Sequence, residues 1–246
     1  MAEVIDEVVI PAAGLGSRMS EITKNKSSKL MLSIGDVPII SYAIDEALAS
    51  GYSKIYVITN KLHEDLSYFL KKFYPMVNII KIETTGGSAE TILKAEKFIS
   101  GEFFSVILPD IIIKSDIPPL SQMKNVWKNK KNILGVLHLT EEEKSFFGSC
   151  EFKKNQVKNF EDAFEIKEIK SKKDNDGDLY HARSILSNSF FNLTKELIKE
   201  KSEPDDSIVY KRMLLNEKFL GLEIKGKGFD CGNPEGYKMA LKLFSN

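Results

Sequence analysis

The first 145 residues alternate two kinds of segment, and this alternation restricts the fold more than any other feature of the chain. EVVIP (7–11), KIYVIT (54–59), VNIIKI (77–82) and FFSVILPD (103–110) are short, apolar and rich in β-branched residues, as strands are. Between them lie helical patterns. PIISYAIDEALAS (38–50) puts Ile40, Ala43, Ile44, Ala47 and Leu48 on one helical face, with Pro38 suited to the first turn and Gly51 to the position just past the end. A second helix is expected over 62–73, and Ser88 is suited to cap a third that runs to about Ile99. Strands alternating with helices predict an α/β fold, a mostly parallel sheet covered by helices on both faces. Ligands of such sheets bind at the carboxyl ends of the strands, where residues 12–18 and Asp110 fall.

The pattern changes after residue 145. GSCEFKKNQVKNFEDAFEIKEI (148–169) reads as antiparallel strands, a small insertion on the main domain, and SKKDNDGD (171–178) as a charged loop. LYHARSILS (179–187) is again a strand. Helices over about 190–201 and 205–216, a strand at FLGLEI (219–224), the turn-rich GKGFDCGNPEG (226–236) and a closing amphipathic helix complete the chain. No internal repeat or low-complexity linker divides it, so a single domain over 1–246 is expected.

Lys+Arg and Asp+Glu each number 35, which removes any general electrostatic case for nucleic acid or an anionic membrane. No apolar stretch approaches the roughly 20 residues of a membrane span. The acidic start, MAEVIDEVVI, does not read as a signal peptide. Cys150 and Cys231 lie far apart without metal-ligand spacing, which fits a reduced, cytoplasmic protein. His63, His138 and His181 have no such spacing either. His138 reads as a satisfied strand residue, Trp127 as helix packing, EEEK (141–144) as a solvated face, and Phe146 and Phe147 as packing of the insertion onto the domain.

IPAAGLGSRM (10–19) turns on glycines directly after the first strand. It lacks the spacing of a P-loop, and Met19 stands where a dinucleotide fingerprint needs its third glycine. Glycines let backbone N–H groups approach an anion without a Cβ in the way. Arg18 can hold phosphate oxygens in a bidentate fork, and Lys29, in SKLML, can add a point charge. Lys24 and Lys26 read as solvated loop charges. Asp110 ends a strand and Asp230 sits in a glycine-bounded turn. On type alone either is a turn former or cap, or a ligand for a hard cation such as Mg²⁺.

PAAGLGSRM…SKLMLSIGDVPIISYAIDEALASG resembles the opening of the sugar-1-phosphate nucleotidyltransferases, whose signature is Gly-x-Gly-Thr-Arg and then Pro-Lys-x-Met-Leu-Pro. GGSAETILKA (86–95), VILPD (106–110) and GKGFDCGNPEGYKMA (226–240) agree in the same order, the last closest to the uridylyltransferase branch. The resemblance implies a Rossmann-like fold of the nucleotide-diphospho-sugar transferase type. Its nucleotide-binding half would be 1–145, its sugar-side lobe and helices 146–225, and its metal-ligand turn and closing helix 226–246. It implies the reaction NTP + sugar 1-phosphate → NDP-sugar + pyrophosphate, with UTP and glucose 1-phosphate as the first expectation; the balanced charge and the lack of a span argue separately against nucleic acid and membrane as partners. A homo-oligomer is compatible with the resemblance.

Carried over by position, the resemblance implies that Asp110 and Asp230 share Mg²⁺, that Arg18 holds the leaving pyrophosphate, and that Lys29 serves the α-phosphate region. Ala12, Ala13, Gly14, Gly16, Gly86, Gly87 and Ser88 would contact the nucleotide. Gly148 would lie under the sugar and Lys170 on its phosphate. The chain departs from the pattern at Ser17, Ser28 and Ser33, where the family has threonine, proline and proline. The Val-Glu-Lys-Pro motif of the sugar pocket has no copy, KEIKSKK (167–173) standing in its place, and Gly177 or Asp178 stands where an asparagine is expected. A thymidylyl-, guanylyl- or cytidylyltransferase for another phosphorylated sugar or phosphocholine remains an alternative. So does a non-catalytic homologue that binds nucleotide-sugar to regulate a partner.

Overall fold

The computed structural model describes residues 5–24, 27–83, 86–127, 131–144, 147, 159–160, 163–169, 179–200 and 205–244. Among them one nine-stranded sheet runs in the order Asn78–Ile82, Lys54–Asn60, Glu7–Ala12, Phe103–Ile107, Leu179–Ser187, Asn132–His138, Phe219–Glu223, Ala163–Ile166, Asn159–Phe160. The first four strands are mutually parallel, and Phe219–Glu223 runs parallel to Asn132–His138. Only Leu179–Ser187 and Ala163–Ile166 run against both of their neighbours. The sheet is therefore mostly parallel, as the alternation predicts.

Its strands are apolar on both sides because both faces are covered. Along Glu7–Ala12, Val8, Ile10 and Ala12 join one core cluster with Ile40, Ala43, Ile44 and Ala47 of the helix Ile39–Ala49. Val9 joins the opposite cluster with Ala89, Ile92, Phe190 and Phe191. The helix is rotated slightly from the predicted face: Ile39 is fully buried and Leu48 is 39% exposed. Gly51 ends it with φ +74°, a conformation that suits glycine, and donates to the Leu48 carbonyl at 3.0 Å.

Three expectations change. Ser88 is the first residue of a shorter helix, Ser88–Leu93, with Gly87 in the cap position and a separate 3₁₀ turn at Glu96–Phe98. The fourth strand stops at Ile107 and not at Asp110. Pro109 has no N–H to give a ladder, and Ile111 turns the chain by donating to the Leu108 carbonyl at 3.2 Å. A new strand, Ile111–Lys114, then pairs antiparallel with Lys227–Asp230 outside the main sheet. His138 closes its strand with its side chain exposed.

The antiparallel segment expected over 148–169 is described at Asn159–Phe160 and Ala163–Ile166, which extend the sheet edge. The charged loop 171–178 lies outside the described residues, as do Phe146 and Cys150. Trp127 ends the helix Pro119–Val126, packs edge-on against Phe103 and donates to the Lys131 carbonyl. Phe147 packs edge-on against Tyr180. Helices Ser189–Lys199, Asp206–Leu214 and Pro234–Phe244 complete the architecture. No helix among the described residues is long and apolar enough to cross a membrane.

Candidate active site

A cavity of about 510 Å³ opens past the carboxyl ends of Glu7–Ala12 and Phe103–Ile107. One wall is the glycine turn. A Cβ on Gly14 would meet nothing within 4 Å, so its backbone faces open space. Gly16 has φ +69° and starts the 3₁₀ turn Ser17–Met19. Met19 is fully buried and anchors that turn, while Arg18 is left exposed on the cavity rim. The residue that excludes a dinucleotide fingerprint is thus the plug that holds this loop.

Lys29 begins another 3₁₀ turn, Lys29–Met31, which Ser28 caps by accepting from Leu30 N–H. Its stem passes over Gly16, where a Cβ would come within 3.4 Å of it. Its Nζ reaches Asp110 Oδ2 at 2.5 Å.

Asp110 and Asp230 become neighbours through main-chain pairing. Asp230 is registered with Ile111, the residue after Asp110, and Cys231 N–H donates to the Asp110 carbonyl at 2.8 Å. Gly232 N–H then donates to Asp230 Oδ1 at 2.8 Å. A Cβ placed on Gly232 would lie 2.8 Å from Asp110 Oδ2, 2.8 Å from Asp230 Oδ1 and 3.3 Å from Lys29 Nζ. Two carboxylates and an ammonium therefore surround one cradle that any side chain at 232 would fill.

The charges differ in consequence. Burial disfavours ionisation of Asp110, but the Lys29 ammonium outweighs it and holds the carboxyl below its ordinary value. Asp230 is pushed up to about 6, first by burial and then by the negative charge of Asp110. Burial, reinforced by both carboxylates, drives the Cys231 thiol upward, so this free cysteine is inert. The donor set fits a hard divalent cation. Mg²⁺ takes one or two protein carboxylates and completes its shell with phosphate oxygens and water. No group of three or more His, Cys, Asp or Glu side chains that could hold a metal occurs among the described residues.

Of the residues expected at the site, Ala12, Gly14, Gly16, Arg18, Lys29, Gly87, Ser88, Asp110 and Asp230 line this cavity. Ala13 is fully buried in the core, and Gly86 is not on the wall, its N–H donating to Glu90 at 2.8 Å. Gly148 and Lys170 lie outside the described residues. Sequence reasoning missed Tyr180, Thr91 and Asp206, which also line the cavity. Ser88 Oγ donates to Asp206 Oδ1 at 2.8 Å and accepts from Asp206 N–H at 3.0 Å, which fixes the Gly87–Ser88 turn. The available signal was the doubled aspartate before a helix: Asp205 caps it, accepting from Ile208 N–H, and Asp206 turns to the cavity.

The family described as Nucleotidyl transferase matches residues 7–241. The chain belongs to the nucleotidyl transferase family. Among relatives in that family, a UTP–glucose-1-phosphate uridylyltransferase of Staphylococcus saprophyticus is 32% identical over 169 residues, 58% of this chain and 58% of its own length. One from Komagataeibacter xylinus is 24% identical over 267 residues, covering 95% of this chain and 91% of the relative. The crystal structure of a UDP-glucose pyrophosphorylase complexed with UDP-glucose superposes with a TM-score of 0.83 at 26% identity, over 98% of this chain and 99% of that one. This nucleotidyl transferase thus keeps the α/β architecture of that structure across its length.

Proposed function

We propose that this nucleotidyl transferase is a UTP–glucose-1-phosphate uridylyltransferase, converting UTP and glucose 1-phosphate to UDP-glucose and pyrophosphate. The observation that carries the reading is the meeting of Asp110, Asp230 and Lys29 around the Gly232 cradle, in a cavity whose other wall is the glycine turn with Arg18. The names of the relatives and the UDP-glucose bound in the similar structure support the choice of base and sugar.

The sugar phosphate oxygen that attacks the α-phosphorus is already anionic near neutral pH, so no general base is needed. The protein's task is to bring two polyanions together in line and to balance the charge that builds up between them. The open backbone at Gly14 and the turn at Gly16 receive the phosphate chain. Arg18 holds the leaving pyrophosphate by its fork, and Lys29 moves its charge onto the α-phosphate region. Asp110 and Asp230 would hold Mg²⁺, which supplies Lewis acidity and a template for the phosphate oxygens. The turn at Gly87 and Ser88, fixed by Asp206, takes the base and ribose. Gly148 and Lys170 take the sugar and its phosphate, by position in the family pattern. The whole chain acts as one cytoplasmic catalytic unit.

Incubation with UTP, Mg²⁺ and a panel of sugar 1-phosphates, followed by pyrophosphate detection, tests the reading. Release that requires glucose 1-phosphate supports it. Release with none of the sugars defeats it.

A further inference from the structure

Arg183 is 1% exposed and lies outside the active-site cavity, lining with Glu46 a smaller one of about 220 Å³. It lies on Leu179–Ser187 just past a shift in register against Asn132–His138, between His181 and Arg183. Such a bulge re-aims a side chain out of the regular alternation. Its guanidinium binds on two sides. Nε and Nη2 grip both oxygens of Glu46, at 2.7 to 3.1 Å, on the helix Ile39–Ala49. Nη2 also donates to the Ile111 carbonyl at 3.0 Å, and Nη1 donates to the carbonyls of Leu108 at 3.3 Å and Ala182 at 2.9 Å. Leu108 and Ile111 bracket Pro109 and Asp110.

We propose that Arg183, oriented by Glu46, is a positioning residue that fixes the Leu108–Ile111 turn and so sets Asp110 for the cation. This rests on the reading of Asp110 and Asp230 as a metal pair. Stability alone gives no reason for the arrangement, because an ion pair this buried is seldom worth more than apolar groups of the same volume. Geometry does give one. Pro109 cannot donate to a ladder, and the turn lies between two different sheets. The guanidinium ties both of its ends to one rigid helix. Lysine, a point charge with one nitrogen, could not hold the carboxylate and both carbonyls together.

The test uses two variants, Arg183→Lys and the paired Glu46→Leu/Arg183→Met. The second removes both charges, keeps the volume and leaves the two carbonyls without the clamp. Free Mn²⁺ is counted by electron paramagnetic resonance during titration of the full chain with UDP-glucose present, and thermal midpoints are recorded alongside. The expected result is Mn²⁺ affinity reduced about 10- to 100-fold in each folded variant, the range for residues that orient metal ligands. UDP-glucose affinity without metal should stay within about twofold. Unchanged Mn²⁺ affinity in a folded variant overturns the proposal, whatever the thermal midpoint. Failure of both variants to fold also overturns it, since the pair would then be a requirement of the fold. An unmodified protein that binds no Mn²⁺ and releases no pyrophosphate instead defeats the uridylyltransferase reading, and this inference with it.

Discussion

Asp230 and Asp110 are brought together by main-chain pairing, but Lys29 forms its ion pair with Asp110. Burial first, and then the negative charge of Asp110, push Asp230 up to about 6 from an ordinary 3.8. Between those values the folded protein holds a proton that the unfolded chain has released. Stability from this group is thus greatest at low pH and is lost as pH rises through about 6. Asp230→Asn keeps an acceptor for Gly232 N–H and removes the repulsion. In the absence of metal it should raise the thermal midpoint at pH 7 relative to the unmodified protein, while turnover falls by at least about a hundredfold, as expected for loss of a metal ligand. Asp110→Asn should lower turnover equally, but without the gain in midpoint, since it leaves Lys29 with a neutral partner. Calorimetry at pH 5 and 7 with parallel turnover assays checks both. Arg18→Lys should behave like Arg18→Ala, with weaker UTP binding and lower turnover, because an ammonium lacks the fork; wild-type kinetics in the lysine variant would refute that role. Arg18, Lys29, Asp110 and Asp230 could be singled out because the motifs that carry the resemblance contain them, whereas residue type alone left both aspartates open between turn former and ligand. Asp206 and Arg183 could not, because their directions depend on Ser88 and Glu46, far away in sequence.

At the scale of elements, the alternating first half was readable since strands covered on both faces must be apolar throughout. The boundaries that failed have two causes, tertiary packing that overrides local pattern and a proline within an apolar run. The helix at 39–49 rolls to bury Ile39 and exposes Leu48, and Pro109 splits one apolar run into strands of two different sheets. The helix Pro234–Phe244 packs its first turn directly on the end of Lys227–Asp230, and a Cβ on Gly236 would fall 2.0 Å from the Asp230 carbonyl oxygen. Gly236→Ala should therefore force the helix off that strand end. The expected loss is about 1–3 kcal/mol of stability, the usual cost of overpacking, with turnover down at least tenfold. Denaturant unfolding together with turnover measures it, and an alanine variant that matched wild type in both would show that the helix is not what seats Asp230.

Across the whole molecule, the cavity draws on segments from Pro11 to Gly232, and its specificity belongs to no single element. On the uridylyltransferase reading, the missing side chain at Gly87, beside Ser88 on the cavity wall, lets a flat pyrimidine approach closely. Backbone groups matched to uracil would be left unpaired by a cytosine edge, costing about 1–3 kcal/mol. Thymine presents the same edge with one more methyl and is harder to reject. The expected order of kcat/KM is UTP, then dTTP, with CTP, ATP and GTP poor; preference for CTP or GTP would refute the uracil reading and leave the fold intact. The pairing of Ile111–Lys114 with Lys227–Asp230 has a further consequence, for the time at which this chain becomes reactive. Contacts between such distant stretches close late, because the entropy of the intervening loop must be overcome before they reward it. The glycine turn follows a strand that pairs with Lys54–Asn60 and Phe103–Ile107, and Met19 and Lys29, which hold it, also precede the second aspartate by about two hundred residues. On the proposed reading, a chain emerging during synthesis would shape a berth for phosphate well before its two carboxylates meet, and a half-finished enzyme would hold a nucleotide without being able to react it.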